Sequence, residues 1–544
     1  MQYDYIVIGS GSGGAAVAGR LSEDSTISVL LLEAGGKDRH PFIHIPVLFP
    51  HLLTNPNTTW LRKSEPVPGL NNRPMFFPSG KVLGGSSSIN GMLYIRGQAE
   101  DYDDWRDAGN DGWGWEDVLP FFKKMEDYEH GETDSHGAGG PIAVTDTLPS
   151  NDSSHKFLEA AVATGIPRIR DLNTGDQHGI STVQGTIRKG RRDSTARGYL
   201  KNANRRPNLT IRTGANVSRI LLDGTRVSSV EFVDTNGSVE TVQVGREVIL
   251  SASAVGSPQI LLQSGIGDSA ELKEVGVTPT HHLPGVGKNL HDHAFVHVQP
   301  RLKAAYPTLN QMLNNKPRMG FELLRYAVTR KGAFGLTSTE ICGFLDSKQQ
   351  GHRPDIQINY RPFSFDYSSA GGFMFHPFPG GTASICYTRP KSRGDVRLVR
   401  DGHGDGHGDG ERMRLAIQPN YLAHDDDVQG MLNGVKIIRR IINAQPFAEC
   451  LESEHGDGAS AKTDEEIIEH IRNKAATIYH PVGTCKMGTD EMSVVDDRLR
   501  VRGLSGLRIA DASIMPVITS GNTNAPSIMV GEKCAHMIRT ERNR

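Results

Sequence analysis

Cysteine is scarce in this chain: there are five in 544 residues, none before Cys342, at wide spacings and odd in number. That excludes a disulfide framework and leaves no thiol cluster with the spacing of a zinc site, so buried, idle thiols in a reducing compartment are expected. Long apolar runs are missing as well. No stretch has the roughly 20 apolar residues that cross a bilayer, and the first apolar strand begins within a few residues of Met1. Neither a membrane span nor a signal peptide is expected; the reading is a cytoplasmic protein, with peripheral membrane association left open. Charge of one sign is lacking too. A net charge of −2 without a long basic run gives no field for nucleic acid. What is left is a globular enzyme long enough for two or more domains and a large cofactor.

The most informative stretch is residues 3–33, YDYIVIGSGSGGAAVAGRLSEDSTISVLLLE. It reads as a short apolar strand at 5–8, a glycine turn, a helix of small residues over 13–21 and a buried parallel strand at 28–32. Gly9, Gly11 and Gly14 supply G-x-G-x-x-G, which permits a tight turn and brings a pyrophosphate onto the amides at the helix N-terminus. Glu33, nineteen residues after Gly14, is placed to accept hydrogen bonds from a ribose diol. Gly is common here, 61 residues, so the flanking strands and the spaced acid carry the assignment. The stretch by itself fits FAD or NAD.

A second stretch, FFPSGKVLGGSSSINGMLYIRG at 76–97, offers bare backbone and short hydroxyls at Gly84, Gly85 and Ser86 to Ser88, continuing through Asn90 and Gly91. With SAVGSPQILLQSGIG (253–267), LPGVGKNLHDH (283–293), YHPVGTCKMG (479–488) and RIADASIMP through GNTNAPSIMVGEK (508–533), it resembles the glucose-methanol-choline oxidoreductases in five ordered places. Residues 301–390 carry little of the pattern.

The resemblance implies an α/β fold: a Rossmann-like FAD-binding domain with a parallel sheet and inserted β-strands (1–155, 196–305 and 465–544), and a substrate-binding α+β domain with an antiparallel sheet and flanking helices (156–195 and 306–464). The inserted strands agree with the alternation over 209–250, where Asn236-Gly237 is a hairpin signal. It implies cofactor contacts at Gly9, Gly11, Ser12, Gly13, Gly14, Glu33 and Ala34, and at Gly84, Gly85, Ser88, Asn90, Gly91 and Met92. Further contacts are implied at Val217, through its backbone beside the adenine, and at Asp511, Ala512, Asn522 and Thr523. Relatives that bind flavin covalently carry histidine where this chain has Ile89, so noncovalent FAD is expected.

For chemistry, the resemblance puts the catalytic histidine at His480 and its histidine-or-asparagine partner at Asn522, with Asn524 the weaker choice. Thr463 and Glu466 form a capping box before an apolar stripe at Ile467, Ile468 and Ile471, so a helix is expected to end near Ala476 and deliver His480. Alcohol oxidation needs a base near the hydroxyl and a hydride acceptor facing the carbon; His480 suits the first role, Asn522 can orient the oxygen, and FAD supplies the second. The implied activity is FAD-dependent oxidation of an alcohol to an aldehyde or ketone, resembling the choline and alcohol dehydrogenases of that family. The electron acceptor is a quinone, an electron-transfer protein or dioxygen; an oxidase releasing peroxide and a cyanohydrin lyase would share every motif. His291, Asp292 and His293 are read as hydrogen-bonding residues and no metal site is expected. The repeat DGHGDGHGDG at 401–410 reads as a solvated loop.

Overall fold

The computed structural model describes residues 2–367, 373–400 and 413–542, so the polar repeat at 401–410 lies outside the described residues. β1 (Gln2–Ile8), α1 (Ser12–Leu21) and β2 (Val29–Glu33) form the expected unit inside a seven-stranded sheet. β1 and β2 run parallel, with Tyr5 opposite Val29 and Ile8 opposite Leu32. All of β2 and the last four residues of β1 are buried, as strands covered on both faces must be.

Leu209–Thr213 adds to the far side of β2, and Val239–Leu250 lies against β1, both parallel. The latter strand is twelve residues long and serves two sheet regions. Its start closes an antiparallel meander with Asn216–Asp223 and Arg226–Val233, while its end pairs parallel with Leu507–Ile509. The expected Asn236-Gly237 turn is present, with Gly237 at φ +82°. The carboxyl ends of β1, β2, Val239–Leu250 and Leu507–Ile509 share one edge, where Gly9, Glu33, Ser251 and Asp511 therefore meet. That edge is where parallel α/β sheets bind ligands.

α1 lies backbone to backbone against its neighbours. A β-carbon on Gly13 would stand 2.1 Å from the Ala510 carbonyl oxygen, and one on Gly531, in the C-terminal helix Asn524–Arg542, 2.4 Å from that of Gly13. The small-residue composition of α1 is thus a packing requirement.

A second, antiparallel sheet has the order Ile341–Leu345, Ile356–Arg361, Thr382–Tyr387, Ala294–Leu302, Leu451–His455, with Ala476–Thr477 also on Ala294–Leu302. Ala294–Leu302 and Ala476–Thr477 come from stretches that sequence reasoning groups with the cofactor unit. Along Ile356–Arg361 the apolar Ile356, Ile358 and Tyr360 join a core that includes Asp425–Ile442, while Asn359 and Arg361 border a large cavity. All five cysteines are buried free thiols. Among the described residues no helix is long and apolar enough to cross a membrane.

Candidate active site

A cavity of about 890 Å³ runs from the carboxyl edge of the first sheet to the polar face of the second. At the first end, Gly9 turns at φ +93°, and a β-carbon there would sit 2.4 Å from the Ser251 carbonyl oxygen. α1 then opens at Gly11, which offers no side-chain cap, so its first-turn amides face the cavity edge. A β-carbon on Gly11 would meet nothing within 4 Å, whereas one on Gly85 would lie 2.7 Å from Gly11 Cα, because the two glycine stretches cross there. Ser10 ties them together: its hydroxyl donates to Glu33 Oε2 at 2.6 Å and accepts from the Gly84 amide at 3.1 Å.

Glu33 is buried, which pushes its carboxyl pKa up against the hydrogen bonds from Ser10 and Gly35. Oε2 accepts from both the Ser10 hydroxyl and amide, and Oε1 from the Gly35 amide at 2.8 Å, leaving acceptor capacity on Oε1 for a hydroxyl in the cavity. Bare glycine backbone, a helix N-terminus and one buried acid with spare capacity fit an extended dinucleotide.

The other end is built by three consecutive residues, each pinning a different segment. His291 Nδ1 donates to the Asn289 carbonyl at 2.7 Å and its Nε2 accepts from the Ile518 amide at 2.9 Å, which fixes the chain entering 519–522. Both ring nitrogens are spent, and burial next to Arg393 pushes its pKa down to about 3. Asp292, also buried, accepts from the Tyr421 and Thr477 hydroxyls and from the amides of His293, at 2.7 Å, and His480, at 2.8 Å. Burial pushes its carboxyl pKa up.

His293 Nε2 lies 3.0 Å from the Thr388 carbonyl oxygen, and its Nδ1 lies 3.1 Å from His480 Nδ1. A carbonyl only accepts, so the His293 proton is on Nε2; burial lowers its pKa to about 4, so its Nδ1 is a bare acceptor. His480 must then donate from Nδ1, which leaves the lone pair on Nε2. That nitrogen stands 3.1 Å from Asn522 Nδ2 and borders the cavity. Burial, and the neighbouring His293, hold the His480 pKa well below the ordinary histidine value of 6.5. The hydrogen bonds thus select one tautomer and a neutral ring.

Local sequence explains the delivery of His480. The capping box of Thr463 and Glu466 opens Asp464–Lys474, and the chain pairs briefly at Ala476–Thr477 before Tyr479 turns at φ +67°. Met92, also on the cavity wall, has φ +64°. Left-handed backbone in bulky residues costs of order 1–3 kcal/mol and persists only where the surroundings impose it, as at ligand sites. Asn522 is held from behind by Gln357, whose amide donates to its Oδ1 at 3.4 Å.

Of the residues expected at the cofactor, Gly9, Gly11, Ser12, Gly13, Glu33, Ala34, Gly85, Asn90, Gly91, Met92, Val217, Asp511, Ala512, Asn522 and Thr523 border the cavity. Gly14, Gly84 and Ser88 do not. A β-carbon on Gly14 would stand 2.0 Å from the Gly9 carbonyl oxygen, so that glycine serves the turn. The Ser88 hydroxyl donates to the Leu83 carbonyl at 2.8 Å, and Ser86 borders the cavity in its place. Asn524 also borders it, its Oδ1 accepting from Ser12 at 2.7 Å. Ser10, Gln357 and the Thr388 carbonyl were not anticipated; of these only Ser10, inside the glycine turn, carried a local signal.

Two family models cover most of the chain, both described as GMC oxidoreductase, at residues 3–295 and 390–531. The chain is 43% identical to oxygen-dependent choline dehydrogenase of Escherichia coli K12, over 99% of this chain and 96% of that protein. Pyridoxine 4-oxidase from Mesorbium loti superposes with a TM-score of 0.86 at 31% identity, covering 99% of each chain. Formate oxidase of Aspergillus oryzae gives a TM-score of 0.89 at 26% identity over 100% of this chain and 99% of that one. With its dinucleotide cradle and its buried histidine pair at two ends of one cavity, the chain belongs to the GMC oxidoreductase family of flavoproteins, enzymes acting on alcohol CH-OH donors.

Proposed function

We propose that this protein oxidises a small alcohol to an aldehyde or ketone, with His480 as the base and noncovalently bound FAD as cofactor. The observation that carries this reading is the chain from the Thr388 carbonyl through His293 to His480, which leaves a basic nitrogen beside Asn522. A bound flavin supplies the hydride acceptor. His480 Nε2 takes the hydroxyl proton, and the Asn522 amide donates to the alcohol oxygen and sets its position. Gly9, Gly11, Ser12 and Glu33 hold the dinucleotide. Anaerobic bleaching of the flavin by an alcohol tests the reading; a flavin that no alcohol reduces would overturn it. The electrons taken from the alcohol then pass to a quinone, an electron-transfer protein or dioxygen, the last being a candidate because two structural relatives are named oxidases. Peroxide formed under air, compared with reduction of an artificial quinone, decides between the acceptors.

Ile89, buried on the cavity wall, has no nucleophile for a flavin bond. Acid precipitation should therefore leave the yellow colour in the supernatant; colour in the washed pellet would contradict noncovalent binding. Glu33→Ala removes the proposed ribose acceptor, a charge-assisted hydrogen bond of roughly 1.5–3 kcal/mol, and should lower flavin content per protein after dialysis. Unchanged occupancy in that variant would move the ribose contact elsewhere.

The cavity wall holds several groups that bear on a choline-sized substrate, among them the rings of Trp60, Phe295, Phe363, Phe365 and Tyr479. Its carboxylates are Glu33 and Asp511, and Asp511 accepts from Ser253, Ser257 and Ser513. The Trp60 ring, a natural seat for an ammonium, already has Arg62 at 4.9 Å and Lys81 at 4.4 Å. Arg361 borders the cavity, with Nε donating to Thr339 at 3.1 Å and Nη1 near Ser384 at 3.4 Å.

A further inference from the structure

We propose that the helix Lys316–Thr329 docks this protein onto an anionic lipid surface. Of its fourteen residues only Tyr326 is buried. Phe321, Leu324 and Val328, spaced to share one face, are 64%, 63% and 77% exposed. Monomeric soluble proteins rarely leave such a stripe in water without a use for it. Beside the stripe and on the turn after it stand Lys316, Arg318, Arg325, Arg330 and Lys331, all exposed, against a single acid, Glu322, which lies 3.4 Å from Arg325. Cations flanking an apolar stripe match a bilayer interface, where the stripe enters the acyl boundary and the cations meet anionic headgroups.

Charge also chooses lipid over a second copy of the chain. A two-fold interface apposes the same patch from both subunits, so these cations would face one another. The helix is anchored rather than loose: the Tyr326 hydroxyl donates to the Gly190 carbonyl at 2.9 Å, under the Arg330 guanidinium 5.2 Å from its ring. It also approaches the His44 carbonyl at 3.4 Å, just ahead of Phe49, Leu53 and Thr54 on the cavity wall. Docking would bring that wall near the bilayer. Delivery of electrons to a lipid-dissolved quinone would follow only if the oxidation proposed above is correct; lipid binding does not depend on it.

The test is flotation of the holoprotein with phosphatidylcholine vesicles containing about 30% phosphatidylglycerol, against pure phosphatidylcholine. The expected result is binding at least about tenfold tighter to the anionic vesicles and weakened by salt. The variant Phe321→Ser/Leu324→Ser/Val328→Ser should lose about tenfold or more, and Lys316→Gln/Arg318→Gln, which removes two of the five cations, should weaken binding to the anionic vesicles about tenfold and leave a shallower salt dependence. Flavin content and melting temperature verify folding, and the charge variant stands alone if the triple variant misfolds. Absence of binding to anionic vesicles, or wild-type binding by the folded variants, would overturn the proposal. So would a dimer in light scattering that the triple serine variant converts to monomer.

Discussion

His480→Ala should keep its flavin and be reduced by alcohol about 10²- to 10⁴-fold more slowly than wild type, the usual loss for a general base. The substitution removes the lone pair at Nε2 without touching Gly9, Gly11 or Glu33 at the other end of the cavity. Asn522→Ala should slow reduction less, since it removes an orienting donor and spares the base; Asn522→His, which keeps a donor, should retain activity. The pH profile gives a second reading of the same role. The neutral ring is the active form, so the rate rises with pH through the His480 pKa and is level above it. Because burial and His293 lower that pKa, the rise should be complete below pH 6.5 and absent from His480→Ala. Single-turnover reduction under anaerobic conditions is the assay, because steady-state turnover also reports product release. Reduction of His480→Ala at the wild-type rate would eliminate this base. His293, whose Nδ1 loses its partner when the His480 ring is removed, would then be the next candidate, since His291 keeps both nitrogens engaged.

Asp292→Ala should damage both stability and rate although Asp292 does not border the cavity. The change strands the Tyr421 and Thr477 hydroxyls and the His293 and His480 amides in the interior, each orphaned donor costing about 1–3 kcal/mol where water cannot reach it. Release of the His480 amide also frees a strained turn, and a displacement of about 1 Å costs about 100-fold in rate. A lower melting temperature together with a flavin-reduction rate down by that factor is expected. Asp292→Asn, which keeps an acceptor oxygen, should fall between. A variant that melts early yet reduces its flavin at the wild-type rate would restrict Asp292 to stability.

The parts of this molecule that were readable in advance are those whose physics is local. The turn at Gly9 needs left-handed backbone within a few residues of β1, and small residues in α1 announce close packing. Glu33 follows at a spacing set by one helix and one strand, and Thr463 with Glu466 declares a helix start in four residues. The family pattern added His480 and Asn522, which the fold brings within 3.1 Å of each other.

What surrounds them was silent because it depends on distant partners. Asp292 and His480 are 188 residues apart, and His293 finds His480 across 187 and Thr388 across 95. Nothing near HDH says which of its three members pins a loop, which braces a turn and which sets a tautomer. Ala294–Leu302 shows alternation, but alternation is a property of any half-buried strand and does not name its sheet. Ser86 and Ser88 are interchangeable as letters; only the turn decides that one hydroxyl meets Leu83 while the other residue borders the cavity. The apolar residues of Lys316–Thr329 do not say in the sequence which way they face, and only the packing around Tyr326 shows that they face outward. Backbone conformation and short-range packing are thus written in the sequence itself. The direction of a proton, the membership of a sheet and the exposure of a face are decided by which distant segments the fold brings together.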